Sequence, residues 1–177
     1  MIKKDRFIVV ANLAAISVII CLAACCQQQI EQGITQAEAD VLNARILSVW
    51  NDGDLTLVDE ICTPNCVRHD CGSPEDIVGL DAIKNFFGSL RSAFPDLNMT
   101  IDDTIVEGNK IVWMWTMKGT NSGPLQGLPL TNKPVHLSGV SIAHVENGKM
   151  AEIWDYYNQA ILLQQVGFTV APPSAQE

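Results

Sequence analysis

The sequence predicts an α+β domain: three helices packed on a strongly curved, mainly antiparallel sheet, with an apolar cavity between the layers. Two observations carry this. Up to Pro95, apolar residues recur at helical spacing, as in Leu42, Ile46, Val49 and Trp50, or Ile83, Phe86, Phe87, Leu90 and Phe94. Beyond Pro95 the period falls to two, and turn signals separate the segments. Helices first and a run of strands afterwards is an α+β order.

Thr35 and Glu38 form a T-x-x-E capping box that opens the first helix. It ends at 51–53, where Asn51, Asp52 and Gly53 interrupt it. Asp54 caps a second short helix over 55–61, with Pro64 as its stop. The third helix covers 80–94, and Pro95 ends it. Strands are predicted over 98–106, 110–118, 135–145 and 150–157, the second rich in β-branched and aromatic residues. Glu107-Gly108-Asn109 and Glu146-Asn147-Gly148 read as hairpin turns. Residues 119–134 form a Gly/Pro-containing connection, and a helical turn or two follows at 159–166.

The last strand carries the most pointed chemistry. Asp155 stands among Ile153, Trp154, Tyr156 and Tyr157. A carboxylate among aromatics is costly to bury unless hydrogen-bonded or protonated, which makes it a candidate general acid/base. The alternative is a solvated Asp at the rim of a sheet. Alternation puts Ile153, Asp155 and Tyr157 on one face and Trp154 and Tyr156 on the other. An apolar outer face suggests a homodimer.

Residues 1–24 read as a signal peptide: Lys3, Lys4 and Arg6, then an apolar stretch over 7–22, then small residues. L-A-A-C at 22–25 resembles a bacterial lipobox, in which Cys25 becomes the lipidated first residue. An uncleaved membrane anchor is the alternative, since the apolar stretch approaches the roughly 20 residues that span a bilayer. Cys26, not Asp, follows Cys25. The resemblance therefore implies the outer membrane, facing the periplasm. Residues 25–36 form the lipid-attached cysteine and tether, 37–170 the folded domain, and 171–177 a disordered tail. Cleavage removes Lys3, Lys4, Arg6 and Asp5 from 11 basic and 20 acidic residues, leaving 8 and 19, net −11. So acidic a body excludes nucleic acid as a partner. It also leaves membrane attachment to the acyl chains.

Cys62, Cys66, His69 and Cys71 lie within ten residues. Their irregular spacing argues against zinc, and no metal site is assigned. An exported location favours a disulfide among the three cysteines, with one thiol left over; three free thiols are the alternative. His136 and His144 read as residues of a polar strand face.

Several motifs in order resemble the SnoaL-like polyketide cyclase and ester cyclase family, whose members have the nuclear-transport-factor-2-like cone fold. They are W-N-D-G-D-L at 50–55, V-R-H-D at 67–70, G-L-D-A-I at 79–83, A-F-P-D-L at 93–97, G-T-N-S-G at 119–123, G-L-P-L-T-N-K-P-V at 127–135 and G-K-M-A-E-I-W-D at 148–155. The resemblance implies a cone with an apolar cavity and a cofactor-independent cyclase or isomerase. In such an enzyme an aspartate on the last strand takes a proton from carbon next to a carbonyl. Asp155 matches that aspartate, and His69 matches a histidine that faces the cavity in many members. His69 alone would equally suit a structural hydrogen-bonder. The chain departs from the pattern at Asn158, Asn121 and Met114, where the family often has Asp, His and Arg. The pocket implied is Trp50, Phe86, Trp115, Ile153, Tyr157 and Asn158, for a small hydrophobic molecule. A non-catalytic envelope lipoprotein that binds such a ligand in the same cavity is the competing reading.

Overall fold

The computed structural model describes residues 33–124 and 130–169. The signal segment, Cys25 and the tail after 169 lie outside the described residues. Helix α1 (Gln36–Asn51) begins at the Thr35 capping box, with both reciprocal hydrogen bonds formed. It turns Ala39, Leu42 and Val49 into the core. Asp54 then caps a 3-10 turn (Leu55–Leu57), followed by the single turn α2 (Val58–Ile61). Helix α3 (Leu80–Ala93) starts after Gly79, whose φ of 85° suits glycine, and buries Ile83, Phe87 and Ala93. Helix α4 (Gln159–Gln165) is capped by the Asn158 side chain, which accepts from the Ile161 N–H at 3.1 Å.

The sheet has six strands: β1 (Cys62–Asp70), β2 (Ile77–Val78), β3 (Asn98–Glu107), β4 (Lys110–Thr120), β5 (Pro134–Glu146) and β6 (Lys149–Tyr157). Their spatial order is β2-β1-β6-β5-β4-β3. All neighbours are antiparallel except β1 and β6, which run parallel. Asn147 and Gly148 both have positive φ, 51° and 76°, so the tight β5–β6 turn is of the type that matches strand twist. α1 lies against β3 and is tied to it by Asn51, whose amide donates to Met99 O at 3.0 Å and whose Oδ1 accepts from Met99 N–H at 2.6 Å.

The four strands predicted after Pro95 are all present. β1 and β2 were assigned no element above, and their place between the helices makes the order of helices and strands mixed. The reason lies in β1 itself. Cys62 pairs with Met150 and Val67 with Glu152, so five steps along β1 match two along β6. That bulge leaves Pro64 and Asn65 exposed and breaks the period-two pattern a strand would show. Pro64 is thus a bulge residue of β1 and not the stop of a helix.

Candidate active site

Register builds the site. Across the inner face of the sheet, Trp113 pairs with Ser141, Ser141 with Asp155, and Asp155 with Asp70. In the next row Trp115 pairs with Gly139 and Gly139 with Tyr157. Arg68 pairs with Ile153. The inner face of the sheet therefore gathers Arg68, Asp70, Ser141, Asp155 and Tyr157 under helices α1 and α3.

Asp155 is 3% exposed. Its Oδ1 accepts a short hydrogen bond from Ser141 Oγ, which in turn accepts from Trp115 Nε1 at 2.9 Å. Its Oδ2 lies 2.8 Å from an Arg68 terminal nitrogen. Arg68, 6% exposed, has its guanidinium over Phe86 at 4.7 Å, Phe87 at 5.3 Å and Trp50 at 5.7 Å. Asp155 Oδ2 and Arg68 Nε are buried without a hydrogen bond among the described residues. Burial pushes the Asp155 carboxyl above the ordinary aspartate range; Arg68 and Ser141 pull it down, and Asp70 adds to the rise. Asp70 is held by Gly72 N–H at 2.7 Å and by the Tyr157 hydroxyl at 2.9 Å. Desolvation, then the Asp70 charge, keeps the Tyr157 phenol protonated well beyond its usual range.

Above these groups are two adjoining cavity lobes that share Trp50, Arg68, Met99 and Trp115. The inner lobe, about 40 Å³, is walled by Ile46, Ile83, Trp113 and Ile153. The outer, about 60 Å³, meets Asp70, Phe86, Asp155, Tyr157 and Leu162. At about 10–15 Å³ per water, each holds only a few waters.

Trp50, Phe86, Trp115, Ile153, Asp155 and Tyr157 are therefore all on the cavity wall. His69 and Asn158 are not. His69 is on the outer face of β1, stacked on Trp154 at 5.2 Å, with Nδ1 2.7 Å from Asp76 and Nε2 2.9 Å from Glu152. Hydrogen bonding to Glu152 raises its pKa most; desolvation opposes the rise, and the bond to Asp76 adds to it. Asn158 spends its side chain on the α4 cap. The cavity-facing members of V-R-H-D are the flanking Arg68 and Asp70. The signal that could have found them is alternation within that motif, which puts residues 68 and 70 opposite His69. Asn121, 1% exposed, bonds Gly123 O and Thr131 and braces the β4–β5 connection. Met114 is exposed on the outer face.

Cys62 and Cys66 are buried and Cys71 is exposed, all three as free thiols. No group of three His, Cys, Asp or Glu among the described residues is arranged to hold a metal ion.

A layer of helices on a mixed sheet, with a carboxylate buried at the sheet centre, defines a cavity protein of the cone-fold class. The chain belongs to the SnoaL-like polyketide cyclase family, whose model matches residues 40–166. Among solved structures it is similar to TsrD from Streptomyces laurentii, with 27% identity and a TM-score of 0.70 over 76% of this chain and 98% of that one. A candidate SnoaL-like polyketide cyclase from Jannaschia sp. CCS1 shares 21% identity at a TM-score of 0.65, covering 80% and 99%. IdmH from Streptomyces antibioticus, a candidate polyketide cyclase, shares 23% at 0.63, covering 76% and 100%. No curated protein matches the chain in sequence.

Proposed function

We propose that this domain is a cofactor-independent acid/base enzyme that abstracts a proton next to a carbonyl in a small, neutral, hydrophobic substrate. The observation that carries this reading is the dry Asp155 carboxylate paired with Arg68 beneath an apolar cavity. Asp155 is the base. Desolvation strengthens it, and Ser141 orients it. When the proton moves to Asp155, negative charge moves to the substrate oxygen. Arg68 pairs with Asp155 and lines both cavity lobes, so its positive charge serves Asp155 before transfer and the enolate after it. The net charge of the site does not change, and for that reason a neutral substrate suits it better than an anion. The enolate then reacts within the same molecule, as in a cyclase, or is reprotonated, as in an isomerase.

The test is solvent exchange. Small 1,3-dicarbonyl and cyclic ketone compounds in deuterated buffer should lose their acidic C–H signals faster with enzyme. Asp155→Asn should remove that acceleration, about 10²–10⁴-fold for loss of a positioned base. Equal exchange by both proteins would defeat the reading.

The competing reading, a binding protein, draws on the same ion pair: a carboxylate held by a guanidinium is a weaker base than a free one. Binding of a small apolar probe unchanged in Asp155→Asn, with no exchange in either protein, would select it. We further infer lipid attachment through Cys25 at the bacterial envelope, on the outer membrane facing the periplasm. Support comes from the L-A-A-C motif and the apolar segment before it. We also infer a homodimer through the outer sheet face. The paired rows Met114–Val140–Tyr156 and Ile105–Val112–Ile142–Trp154 support it, with Ile105, Met114 and Tyr156 exposed.

A further inference from the structure

The bulge in β1 sets two cysteines at its base. Cys62 and Cys66 are 1% and 0% exposed, while Pro64 and Asn65 between them face outward. In a regular strand, residues 62 and 67 would stand about 16 Å apart at about 3.3 Å per residue. Their partners Met150 and Glu152 are only two steps apart, about 7 Å. The chain between Cys62 and Val67 is thus folded back on itself. Both side chains are buried at the base of this fold-back. Cys62 also lines the inner cavity lobe, and Cys66 is two residues from Arg68.

We propose that Cys62 and Cys66 are a dithiol that closes into a disulfide across the base of the β1 bulge, with Cys71 left out of the bond. Three features support this pairing over one with Cys71. The bulge contracts the backbone towards the Cα separation of about 4.4–6.8 Å that a disulfide requires. Both side chains are buried, on either side of the two exposed bulge residues. Cys71, by contrast, is exposed beyond the end of β1, where its thiol donates to Tyr157 O at 3.5 Å. Within the pair, interaction with Cys62 and then the Arg68 charge lower the Cys66 thiol below the ordinary range against its burial, so Cys66 is the first to ionise when the segment opens. The Cys62 thiol is correspondingly hard to ionise, held up by the hydrogen bond to Cys66 and by burial.

The co-reactant is a small-molecule or protein disulfide. The Cys66 thiolate attacks one of its sulfurs and releases one thiol. Cys62, having lost its proton, then attacks Cys66 sulfur in the mixed disulfide and releases the second thiol. Two protein S–H bonds and one external S–S bond are lost; one protein S–S and two external S–H bonds form, and two electrons pass to the co-reactant. Burial makes a local opening of the segment around the exposed Pro64 and Asn65 the access step. The bond would pin the bulge and, through Val67, the position of Arg68.

Peptide mapping tests this directly. Trypsin leaves Cys62 and Cys66 together in peptide 46–68 and Cys71 alone in peptide 69–84. The full chain is equilibrated with glutathione disulfide, the free thiols are alkylated, and the digest is mapped without reduction. The expected product is peptide 46–68 lighter by two hydrogens and unalkylated, formed equally in Cys71→Ser. Its formation should raise the thermal midpoint, reversibly with dithiothreitol. Peptides 46–68 and 69–84 joined to each other would overturn the pairing. Peptide 46–68 alkylated twice under oxidation, in protein shown to be folded, would overturn the dithiol altogether. Cys66→Ser can destabilise the core, so Cys71→Ser and the wild type carry the test.

Discussion

Arg68 alters what a substitution at Asp155 does. From the sequence alone, Asp155→Asn would keep size and packing and cost little stability. In the structure the amide would leave the 6%-exposed Arg68 without its counter-charge. Removing one partner of a buried pair costs about 3–5 kcal/mol. Asp155→Asn should therefore lower the urea midpoint markedly, while Arg68→Met combined with Asp155→Leu should recover much of the loss. Denaturant melts of Asp155→Leu, Arg68→Met and the two combined form the cycle that checks it; additive single losses would refute the coupling. At His69 the sign runs with protonation. Its folded pKa is raised because the imidazolium donates to both Glu152 and Asp76. That stability is full below the unfolded value of about 6.5 and is lost as pH rises through the folded value. Melts at about pH 6 and about pH 8 should differ by no more than about 1 kcal/mol from this source, and His69→Gln should flatten the difference. Alternation along β6 made Ile153, Asp155 and Tyr157 legible as one face. Arg68 and Asp70 were missed because the bulge between Cys62 and Val67 kept 62–70 from being read as a strand, so the alternation within V-R-H-D was not applied.

Single elements carry their own constraints. Gly139 stands between Trp115 and Tyr157 in the inner row of β4, β5 and β6. A Cβ there would run into the Trp115 ring and approach Tyr156 O at 2.7 Å. Gly139→Ala should displace Trp115, break its bond to Ser141 and cost about 1–3 kcal/mol. Tryptophan fluorescence and a thermal melt would show it; an unmoved spectrum would mean the sheet yields instead. The helices were readable because caps, stops and apolar spacing agree locally: Thr35, Glu38, Gly53 and Pro95 each mark a boundary. β3 to β6 were readable because each has one buried face and a turn at its end. β1 was not, since its outward Pro64 and Asn65 resemble a loop, and β2 is two residues long. Asn158 looked like a pocket residue from its place after β6, yet a helix begins one residue later, and an Asn there serves the N–H groups of the first turn.

For the molecule as a whole, the proposed homodimer is tested at the outer sheet face. Tyr156→Lys, on a face already carrying exposed Met114 and Ile105, should shift the sedimentation of the mature domain to a monomer and leave its melt within about 0.5 kcal/mol. Unchanged sedimentation would place the contact elsewhere. Cys25→Ser should release the protein from membranes or leave its precursor uncleaved; processing and fractionation like wild type would rule out lipid attachment. The α+β class and the layer of helices could be read from the chain because they follow from periods of hydrophobicity. The small size of the cavity could not, since it depends on how Trp50, Trp115 and Phe86 meet across elements distant in sequence.

The parallel neighbours β1 and β6 have a consequence for how the chain comes to be folded. β6 is the last strand made, yet it sits in the interior of the sheet order, with β2-β1 on one side and β5-β4-β3 on the other. Until β6 is in place these are two separate fragments, and β1 has only a two-residue partner. Arg68 waits for Asp155, which follows it far along the chain. The contact is non-local, so closure is slow relative to the helices and the β3–β4 hairpin. A nascent chain that ends before β6 therefore cannot complete the domain. Late closure at β6 thus keeps the polypeptide open until the last of the described strands has been made.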